Sequence, residues 1–155
     1  MPPATAVYFD AALVAKFYLN EPGRDVVRRV ARKAGTVVTS GVALAEVPAA
    51  FHRKLRERGI APDVFEALQG QFEHDVANGL WSLAGPSEAL LQDVRALFRR
   101  LDASVFLRSL DAVHIVTAKA ERFERIYTND GHMLKACPRL GLEGVNPLQT
   151  ISRRG

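Results

Sequence analysis

A single cysteine, Cys137, stands in the 155 residues, so neither an intrachain disulfide nor a cysteine metal cluster can form. Four histidines are present (His52, His74, His114 and His132), and none share the HExxH type of ligand spacing, which argues against a histidine zinc site. Long apolar runs are missing too. Glu46 and Asp111 interrupt the two best stretches, and no membrane span is expected. The start, MPPATAVYFD, lacks the basic residues and apolar run of a signal peptide. No internal repeat, low-complexity tract or linker divides the chain. These absences lead to the expectation of one soluble domain over residues 1–155, in a reducing cytoplasm, with no membrane partner.

The composition is that of a globular protein, 48% hydrophobic and 25% charged, at a length that buries a real core. Net charge is +4, a modest excess compatible with RNA or with an acidic protein partner. The basic residues gather on two helical faces. Arg28, Arg29, Arg32 and Lys33 form one; Arg53, Lys54, Arg56 and Arg58 form the other. Solvated surface is the ordinary reading of such faces, and phosphate or an acidic peptide the functional one.

Short strands are predicted at TAVYF (5–9), TVVT (36–39), LWSLAG (80–85), RIYT (125–128) and LEGV (142–145), separated by helical spacing. Leu13, Phe17 and Tyr18 share one helical face. Val26, Val27, Val30 and Ala34 share another, with Gly35 as C-cap. Ser40 is the expected N-cap of a helix that runs to Gly59 and is disturbed by Pro48. A helix from Pro62 to Gly79 turns Val64, Phe65, Leu68, Phe72 and Val76 inward. Further helices follow Ser87, cover RSLDAVHIVTAKAERF and end in GHMLKAC. The aromatic residues Phe17, Phe51, Phe65, Phe72 and Phe98 recur at helical spacing and are assigned to core or dimer packing. Strands separated by helices predict an α/β fold with a short, mostly parallel sheet covered on both faces.

Most of the 17 acidic residues lie on polar helix faces. Four do not. Asp10 and Asp130 each follow a strand, where the alternative role is a helix N-cap or turn. Glu46 and Asp111 lie on helices that are apolar almost all round, which implies burial or a cleft; for Asp111 the alternative is pairing with Arg108 or His114. A parallel sheet gathers such positions at its carboxyl edge. Like charges about 4 Å apart repel by about 4 kcal/mol at an effective dielectric of about 20, so converging carboxylates need a cation. Oxygen-only ligands suit Mg²⁺ or Mn²⁺, and such ions promote attack of water on phosphorus.

The order of Asp10 after the first strand, ALAEV around Glu46, LDAVHIVTA around Asp111 and YTNDGHML around Asp130 resembles a PIN domain. More narrowly, with LVAKFYLNEPG after Asp10, including Lys16 and Glu21, it is similar to the VapC ribonuclease toxins of type II toxin–antitoxin pairs. The likeness runs from about Val7 to Pro147. It implies a three-layer α/β/α sandwich and a metal-dependent endoribonuclease. It also implies a cognate antitoxin, a homodimer, and Asp10, Glu46, Asp111 and Asp130 as the catalytic metal site. Two residues depart from the pattern: Ala12 stands where a hydroxyl is usual, and Pro48 closely follows Glu46.

On this reading Asp10, Asp111 and Asp130 are metal ligands, and Glu46 either ligates or takes a proton from the attacking water. Thr128 is a candidate hydrogen-bond donor to a site carboxylate, and Asn129 a candidate phosphate contact. His114 and Cys137 are assigned to packing or core hydrogen bonds. A non-catalytic PIN-like RNA- or protein-binding module is the alternative, suggested by Ala12. A phosphoacceptor domain is disfavoured, because a dehalogenase-type site wants an acid at position 12.

Overall fold

A computed structural model describes residues 5–149, so the single-domain expectation for 1–155 extends beyond the described residues at both ends. The elements run β1 (Ala6–Tyr8), α1 (Ala11–Tyr18), α2 (Arg24–Ala34), β2 (Thr36–Ser40), α3 (Ala43–Arg56), α4 (Pro62–Ala77), β3 (Trp81–Ala84), α5 (Glu88–Arg100), α6 (Ser109–Ala120), β4 (Arg125–Tyr127), α7 (Gly131–Ala136), a 3₁₀ turn (Cys137–Leu140) and β5 (Glu143–Val145). All strand pairs are parallel: β1 with β2, β2 with β3, and β4 with β5. A parallel bridge from Phe9 to Tyr127 and a 3.1 Å bond from Asp10 N–H to the Tyr127 carbonyl join β1 to β4. The spatial order is therefore β3-β2-β1-β4-β5. The winding reverses between β1 and β4, and a reversal of this kind opens a crevice at the carboxyl ends of the strands.

Alternation along the first strand divides the core in two, because successive side chains point to opposite faces of a sheet. Tyr8 enters one cluster with Leu90, Val94, Ile115, Ile126 and Met133, under α5, α6 and α7. Phe9 enters the other with Leu13, Val27, Phe51, Phe72 and Trp81, under α1 to α4. The result is the expected α/β/α sandwich. The second cluster is tied by a polar chain: Trp81 Nε1 donates to Tyr18 Oη at 2.7 Å, and that hydroxyl donates to Asp75 at 2.7 Å. Helix α6 reads as apolar all round because it is the central helix of its layer, and every residue from Asp111 to Ala118 is buried.

Three expectations are corrected. Val64 does not point inward: it is 42% exposed at the first turn of α4, where Phe65 and Leu68 already occupy the buried stripe. Phe98 is likewise exposed on α5. Ser40 is not the N-cap of α3; Val42 holds that place, while the Ser40 hydroxyl accepts from Val42 N–H at 3.3 Å. The first turn of α3 closes through Leu44 N–H to Gly41 and Ala45 N–H to Val42, a tighter i to i−3 pattern ahead of Pro48. Gly41 is required where β2 hands over to this helix, since a Cβ there would run into the Gly85 carbonyl. Among the described residues, no helix is long and apolar enough to cross a membrane.

Candidate active site

The two acids that follow strands are both helix N-caps and both keep an oxygen for other work. Asp10 caps α1 through Oδ1, which accepts from Leu13 N–H at 3.0 Å, and its Oδ2 accepts from the Thr128 hydroxyl. Asp130 caps α7 through Oδ1, which accepts from Met133 N–H at 2.9 Å, and its Oδ2 accepts from Arg108 Nη2 at 2.7 Å. The capping role and the site role thus use different lone pairs of one carboxylate. Thr128 binds the two together, because its Oγ1 also accepts from Asp130 N–H at 3.0 Å. Ala12 offers no hydroxyl, and the hydroxyl that Asp10 does accept from comes from Thr128, just beyond β4. Ala12 itself is exposed.

Asp10 is only 3% exposed, and burial pushes its carboxyl upward against the Thr128 bond, the nearby His114 and the Leu13 amide. Glu46 lies close enough to add to that upward push. Glu46 in turn is held by His114, whose Nε2 lies 2.8 Å from Oε1, while His114 Nδ1 lies 2.9 Å from the Tyr8 hydroxyl. A carboxylate only accepts, so Nε2 carries the hydrogen. Tyr8 keeps its proton because burial drives its ionisation far upward, and it donates to Nδ1. The tautomer is thereby fixed from both sides.

Asp111 is buried at the first turn of α6, and its Oδ2 accepts from Arg108 Nε at 2.9 Å and from Arg108 N–H at 3.3 Å. One guanidinium therefore bridges Asp111 and Asp130 from an otherwise exposed side chain. The four acids come from four separate stretches of chain to one edge of the sheet, in two groups: Asp10 with Glu46, and Asp111 with Asp130. Among the described residues no three acidic, histidine or cysteine side chains already stand as a ligand cluster. Arg108 and His114 hold the carboxylates instead. The donor set nevertheless fits a hard cation. It is all oxygen, and a positive charge already sits between two of its members.

Beside these acids runs a groove of about 830 Å³ between α1, α3 and α4, lined by Ala12, Glu46, Pro48, Arg53, Arg56 and Arg108. One of the two basic faces seen in the sequence thus opens onto the acids, through Arg53 and Arg56. The other, Arg28, Arg29, Arg32 and Lys33, lines a separate surface on α2. Asn129 is exposed next to the site. Cys137 is buried, and its thiol is pushed up to about 11 by burial and by Asp10, so it is a packing residue. Two residues of the site were not assigned from sequence. The sequence offers Arg108 only as an alternative partner of Asp111, although an acid three residues after a helix N-cap is a visible signature. Tyr8 carried no signal, since a strand tyrosine reads as core.

The family model described as PIN domain matches residues 7–137. Ribonuclease VapC46 of Mycobacterium tuberculosis is 29% identical over 151 residues, covering 92% of this chain and 98% of that protein. Among solved structures, Mycobacterium tuberculosis VapC20, described as a sarcin-ricin loop cleaving toxin, superposes with a TM-score of 0.65 at 16% identity, over 84% of this chain and 94% of that one. A chain from the FitAcB structure of Neisseria gonorrhoeae gives 0.63 at 15% identity, over 91% and 97%. Both structures support the fold alone. The family match spans most of the chain and includes the four acids and α1 to α7: this chain belongs to the PIN domain family.

Proposed function

We propose that the protein is a metal-dependent endoribonuclease of the VapC type, the toxin of a toxin–antitoxin pair. The observation that supports the reading is a pair of acids, Asp111 and Asp130, held across one guanidinium of Arg108, with Thr128 joining Asp130 to Asp10 and its neighbour Glu46. The name of the 29% identical relative, a VapC ribonuclease, supports the same class of reaction. Asp10, Asp111 and Asp130, with Glu46, would hold Mg²⁺ or Mn²⁺. When bound, the ion supplies the charge that neutralises these acids and promotes attack of water on phosphorus. Glu46, held by His114, would take a proton from that water. Arg53 and Arg56 line the groove that leads to the acids and would receive RNA phosphates, or the acidic segment of a cognate antitoxin. A homodimer belongs to the same reading.

Purified protein is expected to cut RNA with Mg²⁺ or Mn²⁺, to stop in EDTA, and to lose roughly 10²- to 10⁴-fold in rate as Asp10→Asn or Asp111→Asn. Cleavage that survives both the chelator and the substitutions would overturn the assignment.

A further inference from the structure

A second groove, of about 450 Å³ and sharing no lining residue with the Arg53 groove, is lined by Ser104, Val105, Phe106, His132, Lys135 and Arg139. Its floor is unusual. Phe106 is 57% exposed, the most exposed large apolar side chain among the described residues, and its ring lies 4.4 Å from that of His132 at 55°. The backbone that carries this exposed phenylalanine is held on both sides. The preceding turn is locked by Ser104, whose N–H and hydroxyl both donate to Asp102 Oδ1, at 2.8 and 2.6 Å. Val105 and Leu107, on either side of Phe106, pack into the core below α5 and α6. In extended chain that alternation leaves Phe106 outside.

Both rings are also tied in register to the acids. Phe106 lies two residues before Arg108, which bridges Asp111 and Asp130; His132 lies two residues after Asp130 and one before the buried Met133. Two residues of chain span at most about 7 Å, so the aromatic pair sits one short step from the carboxylates. The cations of the groove complete the pattern. Lys135 and Arg139 are exposed and form no ion pair among the described residues, and Arg139 lies near Asp102. A flat aromatic surface with nearby positive charge is what a splayed nucleotide requires, the ring for its base and the cations for its phosphate.

We propose that Phe106, packed at a tilt against His132, is a base-binding subsite for single-stranded RNA, with Lys135 and Arg139 receiving the adjoining phosphates, next to the acidic site. The assignment deepens the ribonuclease reading and rests on it for the nature of the ligand. It gives the substrate a second contact region besides the phosphate contacts along Arg53 and Arg56.

The test is binding of short fluorescein-labelled single-stranded RNA to the full chain in EDTA, read by fluorescence anisotropy. Phe106→Ala is expected to weaken binding roughly 5- to 100-fold, the range of a lost base stack. Phe106→Tyr and Phe106→Trp keep the affinity, and Phe106→Leu falls with the alanine variant. Removing the base at one RNA position costs affinity in the natural protein and costs nothing more in Phe106→Ala. Lys135→Gln flattens the dependence of affinity on salt. Unchanged binding by Phe106→Ala overturns the proposal. So does a leucine variant that binds like tyrosine, or an abasic loss that persists in the alanine variant. An oligomer that dissociates in Phe106→Ala while RNA affinity holds also overturns it, in favour of a protein interface. The readout needs no cleavage, so the two readings fail separately. An Asp10→Asn chain that still cuts RNA removes the acid-site assignment and leaves the stacking result intact.

Discussion

His114 is buried to 2%, yet it is the hinge between the hydrophobic layer and the site: one nitrogen meets Tyr8 in the core, the other Glu46 in the cleft. Its assignment from sequence to packing or core hydrogen bonding holds, but it leaves out the carboxylate. A half-exposed glutamate beside a groove has several rotamers, and a donor at fixed position selects one. His114→Leu is therefore expected to keep the fold and lower the cleavage rate about 10- to 100-fold, the usual cost of removing a group that orients an active-site side chain. His114→Gln restores most of that rate, because the amide nitrogen reaches the place of Nε2 and again donates to Glu46. Thermal unfolding of each variant separates the two roles. If glutamine and leucine cut equally poorly at equal stability, orientation of Glu46 is not what His114 provides.

Glu21 organises a junction of elements rather than a site. It accepts from Lys16 on α1 at 2.7 Å and pairs with Lys54 on α3 at 3.2 Å, so one carboxylate just beyond α1 holds two helices. Burial pushes its acid upward, but the bonds and charges of Lys16 and Lys54 outweigh it and hold the carboxyl below its ordinary 4.5. A depressed carboxyl stabilises the fold above the unfolded-state value and loses that contribution as pH falls through the folded one. Glu21→Gln is expected to lower stability by no more than about 1 kcal/mol at neutral pH, as for partly exposed ion pairs. The gap between the two proteins should close as pH falls below the ordinary 4.5 and through the lower folded value. A gap in melting temperature that stays constant from neutral to acid pH would show that the junction is not ionic. The helices meeting here were legible in the sequence, as were all five strands, because alternating and 3.6-residue apolar patterns report directly on burial. What was not legible follows from tertiary placement. Val64 matches the apolar period of α4 but falls on the edge of its stripe, and Ser40 matches a cap whose geometry the tight first turn of α3 shifts to Val42. The acids stood out because carboxylates on apolar helices are costly without partners. Arg108 did not, since an exposed arginine is ordinary until its contacts are known.

At the scale of the whole molecule, β1 and β4 join the two halves of the sheet, and the chain beyond their ends carries Asp10 and Asp130. The acidic edge is where the two core layers meet, and there folding must bring carboxylates together. In the metal-free chain Arg108 offsets the repulsion of Asp111 and Asp130, and the Thr128 hydroxyl and the Leu13 amide hold Asp10. A divalent ion that binds only the folded edge must therefore stabilise the entire domain by mass action. Mg²⁺ or Mn²⁺ at about a hundredfold over its dissociation constant should add about 2.7 kcal/mol. For a chain of this length that is a rise of roughly 5–10 °C in melting temperature. Asp10→Asn and Asp130→Asn should each abolish most of the increment. Arg108→Gln should do the opposite, lowering the melting temperature without metal and enlarging the rise with it, because the tethered cation and the ion compete for the same two carboxylates. Sodium chloride at matched ionic strength serves as the control, since screening alone acts on exposed charges over the whole surface. If the salt reproduces the rise, or if Arg108→Gln responds to Mn²⁺ no more than the natural chain does, the positive charge between Asp111 and Asp130 does not mark a metal position.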